Sequence, residues 1–235
     1  MMIESNNKSL TLSDQVFLRI KEDIVTGVML QGQKMGEAEL AKRYDISRGP
    51  LREALQRLEA INLVTRTPHA GMRVVILSHD KMREIYQMRE AMEGFATRLA
   101  TKAMTDAEIE NLYHLLDEHE TAIKKTNGKV YFQEEGDPDF HYYIFSKCGN
   151  HQLIEFLENQ LYQLLRMCRY RTSRLPFRPK NALIEHRTIV DAIKNRDEEF
   201  AEMLMRRHIQ SSWQLVDSML IDQRQSDIEN KTMNG

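Results

Sequence analysis

The sequence predicts a mainly α chain in two parts: three short helices closed by a β-hairpin, then an all-α bundle of six or seven helices. Three observations predict it. Residues 39–59 carry apolar positions at helical spacing, interrupted once at Asp45-Ile46. Residues 63–76 switch to short runs rich in β-branched residues on either side of Pro68-His-Ala-Gly71. From Ser78 onward glycine and proline become scarce, and apolar residues recur at i, i+3 and i+4.

The first helix spans about Leu12 to Gly27. In the second, Leu40, Ala41 and Tyr44 form an apolar stripe, and the turn Asp45-Ile46 follows. Ser47 is placed to cap the third, whose Leu51, Leu55 and Leu58 point inward. Arg48, Arg52 and Gln56 share its opposite face. A guanidinium fork takes two bonds from guanine or from phosphate, and backbone N–H groups at the helix start point at phosphate. This is the layout of a helix-turn-helix that reads duplex DNA. One arginine on one helix is ordinarily a solvated side chain, but stripe, turn, cap and arginines agree in order. Leu63-Val-Thr-Arg-Thr67, Pro68-His-Ala-Gly71 and Met72-Arg-Val-Val-Ile76 then read as strand, turn and returning strand, a wing. His69, Gly71 and Arg73 are its DNA-binding candidates; for His69 and Arg73 an ordinary polar hairpin stands as the equal alternative to a reach into the minor groove.

These residues resemble the GntR family of bacterial regulators, whose DNA-binding domain ends in Ser-Arg-x-Pro-x-Arg-Glu-Ala-Leu-x-x-Leu-Glu and a wing with Pro-x-x-Gly. Here the run is Ser47, Arg48, Pro50, Arg52, Glu53, Ala54, Leu55, Leu58 and Glu59, with Pro68 and Gly71 in the wing. The resemblance covers Leu12 to Ile76. It implies a winged helix-turn-helix over residues 1–78 that binds double-stranded DNA. Ala38 stands where some members carry an arginine, so one phosphate or base contact of those members has no counterpart.

At 235 residues and 41% hydrophobic content, the chain is long enough for two domains with a core in each. No apolar run approaches a membrane span and the N-terminus lacks a signal peptide's regions, so a cytoplasmic protein is expected. Cys148 and Cys168 lie in apolar helical patterns, where reduced, packed thiols are expected. The net charge of -2 divides unevenly. Residues 1–78 hold 11 Lys and Arg against 9 Asp and Glu, and the remainder is acidic. So mild an asymmetry gives modest, salt-dependent affinity for DNA at large, and a dimer is needed for useful specificity.

The bundle, residues 79–222, is expected as helices at about 79–103, 105–126, 138–148, 151–172, 179–195 and 197–221. The breaks fall at Thr105-Asp106, Thr126-Asn-Gly128, Gly136-Asp-Pro138, Gly149-Asn150, Arg174-Leu-Pro-Phe-Arg-Pro179 and Asn195-Arg-Asp197. Residues 223–235 read as a disordered tail.

The chemistry of the bundle lies in its histidines. Asp137 and His141 are four apart and can meet over one helical face. His186 is in step with Leu183, Val190 and Ile193, and His208 with Leu204, Met205 and Leu215, so both fall on buried stripes. Three imidazoles and a carboxylate converging in a bundle make good ligands for a divalent transition metal, and neutral imidazole suits zinc, nickel or manganese. Singly, Asp137 is a helix cap before Pro138, and an inward histidine is a hydrogen-bonded core residue.

Together the four resemble the ligand set of the C-terminal effector (FCD) domain in the FadR subfamily, where Asp-x-x-x-His is followed by histidines on each of the last two helices. The match runs through Asp137-Pro-Asp-Phe-His141, Gly149-Asn150, Glu185-His186 with Ile189 and Ala192-Ile193, and His208. It implies that Asp137, His141, His186 and His208 hold the metal. Six helices match the shorter vanillate-regulator-like branch better than the seven-helix branch.

Arg89, in step with Ile85, Met92 and Ala96, falls on a buried face and needs an anion. That anion is either Glu93 one turn on or, as the resemblance implies, the carboxylate of a small effector shared with the metal. Asn150, Arg169 and Arg171 either add hydrogen bonds to such an effector or are solvated. Tyr142, Tyr162 and Trp213 line its pocket or fill the core.

The reading that results is a cytoplasmic, dimeric regulator, a repressor in the commoner arrangement, that binds a palindromic operator under control of a metal and a small organic acid. Leu77-Ser78-His79-Asp80 is the expected hinge. A metalloenzyme is the alternative of another class, because an Asp and three His with an open position can activate water. Against it, no general base stands beside the histidines, and Glu185 is expected on another face of its helix. A third reading keeps the regulator and makes the metal purely structural.

Overall fold

The computed structural model describes residues 10–68, 71–125, 139–172 and 178–233, with side chains except at 169, 171–172, 178–180 and 222–233. The chain divides into two compact units, Met1–Ile76 with Gln163–Met167, and Leu77–Tyr162 with Cys168–Gly235.

In the first unit α1 (Leu12–Val25) starts with a capping box. Thr11 accepts from the Asp14 backbone N–H, and the Asp14 carboxylate accepts from that of Thr11. Helix α2 (Glu37–Tyr44) ends at Asp45, which takes the left-handed conformation (φ 51°) that the turn requires. Tyr44 donates to Asp23 across 2.6 Å and ties α2 to α1. Helix α3 (Arg48–Ala60) packs on both and buries Leu51, Ala54, Leu55 and Leu58. Ser47 holds the N-cap position of α3 but makes no side-chain cap bond, contrary to the sequence expectation. A cap is worth about 1 kcal/mol, whereas each buried leucine is worth roughly 1.5–3 kcal/mol. Packing therefore fixes α3 without the cap.

The wing is an antiparallel pair, β1 (Val64–Thr67) and β2 (Gly71–Val74), registered from Val64 opposite Val74 to Thr67 opposite Gly71. Gly71 has φ +78°, a conformation costly for any residue with a β carbon. Lys34 forms a bridge to Arg73 on the other side of β2, and the Met35 N–H donates to the Met72 carbonyl.

After residue 76 the described residues form six continuous helical runs, all within the second unit except Gln163–Met167. These are α4 (His79–Ala103), α5 (Asp106–Lys125), α6 (Phe140–Ser146), the run 151–172, α9 (Arg178–Lys194) and α10 (Glu198–Met233). The run 151–172 contains α7 (His151–Phe156), a π-helical segment Leu157–Tyr162 and α8 (Gln163–Thr172). Three differences from expectation stand out. Helix α6 starts two residues late because Asp139, not Asp137, caps it, accepting from the Tyr142 N–H at 2.9 Å. The π turn was unforeseen, since one extra residue in a helical run leaves composition unchanged. Helix α10 continues to Met233 instead of giving way to a disordered tail from 223, because no proline or glycine interrupts that polar stretch.

The most extensive pairing in this unit is α4 with α10. Around it lie Met82, Ala96, Ala100, Leu112, Leu116, Phe140, Val190, Ile193, Ala201 and Met205, all buried. Arg196, itself left-handed at φ 57°, donates to the carbonyls of Thr101 and Met104 and so satisfies the end of α4. Cys148 and Cys168 are buried and free. No helix among the described residues is long and apolar enough to cross a membrane.

Candidate functional site

On the first unit, Ser47, Arg48, Arg52 and Gln56 are all exposed along one side of α3, as their spacing predicts. The Arg52 Nε donates to Glu37 Oε2 at 2.8 Å, which holds the guanidinium at the helix surface. Glu37, Arg52, Leu55 and Gln56 line a cleft of about 280 Å3 with Arg66 and Met72 of the wing. Arg66 was not singled out in the sequence, although its position on an alternating strand opposite Met72 places it there. Arg73 is exposed but spends one guanidinium nitrogen on the Gly32 carbonyl at 2.9 Å, so it buttresses the wing. His69 lies outside the described residues.

In the second unit α6, α9 and α10 each bring one histidine to a common point. His141, His186 and His208 are buried, and one ring nitrogen of each lies within 4.8 Å of the others. His208 Nε2 stands 3.2 Å from His186 Nε2 and 3.3 Å from His141 Nε2. Phe140 stacks on His186 at 3.9 Å between centroids and meets His141 edge-on, so the ring planes are set by packing. The stripe carrying His208 runs on through Ile209 and Val216, while Leu215 is exposed.

Two carboxylates take the outer nitrogens. Glu93 Oε2 is 2.8 Å from His141 Nδ1, and Glu185 Oε2 is 2.6 Å from His208 Nδ1. A carboxylate only accepts, so each Nδ1 carries the proton, and in the neutral ring each Nε2 presents a lone pair. In that form the buried His141 and His208 direct lone pairs at each other across 3.3 Å, a repulsion that a shared proton or a bound metal ion relieves. Nitrogens held about 2.0–2.1 Å from one metal at tetrahedral angles stand about 3.3 Å apart. The observed spacing fits that, and neutral imidazole is a donor for zinc, nickel or manganese.

Arg89 is 2% exposed and pairs with Glu93, Nε to Oε1, at 2.6 Å. The structure therefore realises the ion pair that was one of its two readings. Its Nη2 also lies 3.5 Å from His141 Nδ1, but two donors cannot bond, and Glu93 holds that nitrogen. Glu185 corrects the sequence expectation. Although it neighbours His186 on α9, its side chain crosses to the histidine on α10, a tertiary contact that helical spacing does not encode.

The other candidates are placed differently. Asp137 lies outside the described residues, and the side chains of Arg169 and Arg171 are not described. Asn150 is the N-cap of α7, its Oδ1 accepting from Leu153 N–H at 3.1 Å. Tyr142 donates to Glu158 at 3.0 Å and packs on Tyr162. Trp213 lies between Tyr86 and His79, at 5.4 and 5.6 Å between centroids, and His79 pairs with Asp217.

A three-helix unit with a wing, followed by a helical domain with a buried polar centre, defines a DNA-binding transcriptional regulator. Comparison with known proteins agrees. Residues 12–74 match the bacterial regulatory proteins of the gntR family, and residues 84–211 match the FCD domain. The chain belongs to the GntR family, with an FCD domain of the FadR-like type. It is 34% identical to the HTH-type transcriptional regulator BphR of Paraburkholderia xenovorans, over 88% of this chain and 85% of that protein. It is 31% identical to the HTH-type transcriptional repressor GlaR of Escherichia coli, over 81% and 89% respectively. Among solved structures, Escherichia coli McbR/YncC shares the fold with a TM-score of 0.71 at 21% identity, covering 90% of this chain and 99% of that one. BphR and GlaR are named as transcriptional regulators, and the family to which this chain belongs is one of regulators, not enzymes.

Proposed function

We infer that the protein is a dimeric repressor whose grip on a palindromic operator is set by a divalent transition metal and a small carboxylate in the helical domain. The observation that carries this reading is the convergence of three buried imidazole Nε2 atoms, two of them fixed as lone-pair donors by carboxylates. His141, His186 and His208 would hold the metal, with Asp137 as the fourth protein ligand that the resemblance implies. A bound metal would supply a Lewis acid for the effector's carboxylate. Arg89 would clamp the same carboxylate, which must then share or displace Glu93.

Ser47, Arg48, Arg52 and Gln56 would meet base edges and phosphates, and His69, Gly71 and Arg73 would carry the wing contact. The name of GlaR as a repressor supports repression as the direction. Two winged units on a two-fold axis read two half-sites, which makes the operator symmetric. The effector controls binding only by favouring one placement of those units, since a ligand that binds both placements equally shifts nothing.

The test is elemental analysis of the purified full-length protein and its His186→Ala variant, with DNA binding measured on both. About one metal per chain in the wild type, lost in the variant while DNA binding persists, is the expected result. No metal in the wild type after incubation with zinc, nickel or manganese overturns the metal-dependent part. Full metal content in the variant overturns the ligand set.

A further inference from the structure

Two carboxylates outside the proposed ligand set reach the histidines. Glu93 on α4 and Glu185 on α9 each occupy the outer nitrogen of a different imidazole, at 2.8 and 2.6 Å. We propose that both are positioning residues of the metal centre, fixing the tautomer and ring orientation of His141 and His208, and that Glu93 additionally joins the centre to Arg89. This rests on the reading that the histidines hold a metal.

An imidazole binds a metal through a nitrogen that carries no proton, and either ring nitrogen can lose it. With a carboxylate on Nδ1 the proton stays there, and the Nε2 lone pair is committed to the interior before a metal arrives. The carboxylate also makes the ring a stronger donor and offsets part of the positive charge the site takes up. Stacking by Phe140 fixes the plane of His186, whereas His208 depends on Glu185 for the same purpose.

Glu93 uses both its oxygens. Oε1 accepts from Arg89 Nε at 2.6 Å and Oε2 from His141 at 2.8 Å, with Arg89 and Glu93 2% and 3% exposed. One rigid carboxylate thus bridges the buried cation of the pocket and a metal-facing imidazole. Arg89 Nη2 reaches Oε2 as well, at 3.4 Å, so any anion that draws Arg89 away from Glu93 changes the charge that this carboxylate presents to His141. Metal and anion occupancy are linked through this residue, and the linkage is reciprocal.

Glu185 gives the cleaner test, because its side chain is 32% exposed, whereas Glu93 is 3% exposed and also holds the buried Arg89. Cobalt(II) affinity would be measured by chelator competition on the full-length wild type, Glu185→Gln, Glu185→Leu and His186→Ala, together with the cobalt visible absorption and the metal-free unfolding midpoint. Glu185→Leu, which has no acceptor, is expected to bind one cobalt about 10- to 100-fold more weakly. Glu185→Gln, which keeps an acceptor without the charge, should fall between it and the wild type. Both should shift the absorption band while leaving the metal-free midpoint in place, a pattern that a packing role would not produce. Glu93→Gln should weaken cobalt too, with a lower midpoint because Arg89 loses its counter-charge. Wild-type affinity and spectrum in Glu185→Leu overturn the proposal while the metal site stands. Failure of the wild type itself to bind cobalt overturns the metal reading, and this inference with it.

Discussion

Gly94 and Arg206 face each other so closely across α4 and α10 that a β carbon on Gly94 would stand 2.7 Å from the Arg206 Cγ. The most extensive helix pairing in the helical domain is therefore seated on a glycine. In a helix interior alanine is ordinarily favoured over glycine by about 1 kcal/mol. Here the added methyl must push out the stem of Arg206, which Glu202 holds at 2.8 and 3.0 Å, and overpacking typically costs about 1–3 kcal/mol. With a contact of 2.7 Å on the inner part of a side chain held at its far end, the clash outweighs the gain. Gly94→Ala should lower the thermal unfolding midpoint, but in an Arg206→Ala background the same change should raise it. A rise in both backgrounds would show that Arg206 yields without cost.

Arg52 and Glu37 form an exposed pair, with side chains 61% and 35% accessible, and such pairs contribute about 0–1 kcal/mol to stability. Arg52→Ala should fold as well as the wild type yet lose affinity for a duplex that the full-length protein selects from a random pool. Glu37→Gln should bind that duplex more tightly, because it frees the guanidinium and removes a negative charge facing phosphate. Fluorescence anisotropy at matched salt measures both. Unchanged affinity in Arg52→Ala would remove it from the DNA-contacting set.

The α3 face was legible in the sequence because helical periodicity alone sorts Leu51, Leu55 and Leu58 from Arg48, Arg52 and Gln56. His186 was legible for the same reason, being in step with the buried Leu183, Val190 and Ile193, whereas His208 shared a buried stripe with Met205 but not with the exposed Leu215, and His141 was reached by its spacing from Asp137. What periodicity cannot reach is the partner across helices. Glu185 sits beside His186 in the chain but serves His208, and Glu93 divides its oxygens between Arg89 and His141. Helix ends were blurred where a signal was ambiguous. Asp137 and Asp139 are both good caps before Phe140, and the polar residues after Ile221 lack apolar periodicity although nothing in them stops a helix.

Arg196 reaches back to the carbonyls of Thr101 and Met104 at 3.0 and 2.5 Å and to Asp106 at 2.6 Å, joining the loop after α9 to the junction of α4 and α5. Bonds from a charged donor are worth about 1.5–3 kcal/mol when buried, and the 41% exposure of this side chain reduces that to about 1 kcal/mol. Arg196→Ala should lower stability by that amount in urea unfolding. Arg196→Lys should not restore it, because a single ammonium cannot span the three acceptors. Full rescue by lysine would mean that charge alone matters.

Glu108 caps α5 through Thr105 and pairs with Lys147 at 2.9 Å. The Thr105 backbone N–H, and then Lys147, hold its carboxyl down to about 2 from an ordinary 4.5. A depressed carboxylate stabilises the fold above its unfolded value and loses that contribution as pH falls through the folded one. The advantage of the wild type over Glu108→Gln should therefore be constant near neutrality, shrink below about 4.5 and vanish near 2. Unfolding midpoints of both proteins across that acid range check it. A difference independent of pH would assign the effect to the hydrogen bond geometry alone.

The packing of Trp213 between Tyr86 and His79 has an optical consequence. It is the only tryptophan in the chain, so all indole emission originates from this one spot in the second unit, while the winged helix is silent at the same wavelength. One neighbour, Tyr86, lies beneath the Arg89 guanidinium at 5.2 Å, and the other, His79, is the first residue of α4. The protein carries its own fluorophore against the first residue of the helix that follows the wing and one ring away from the buried Arg89, and no label need be attached to watch either change.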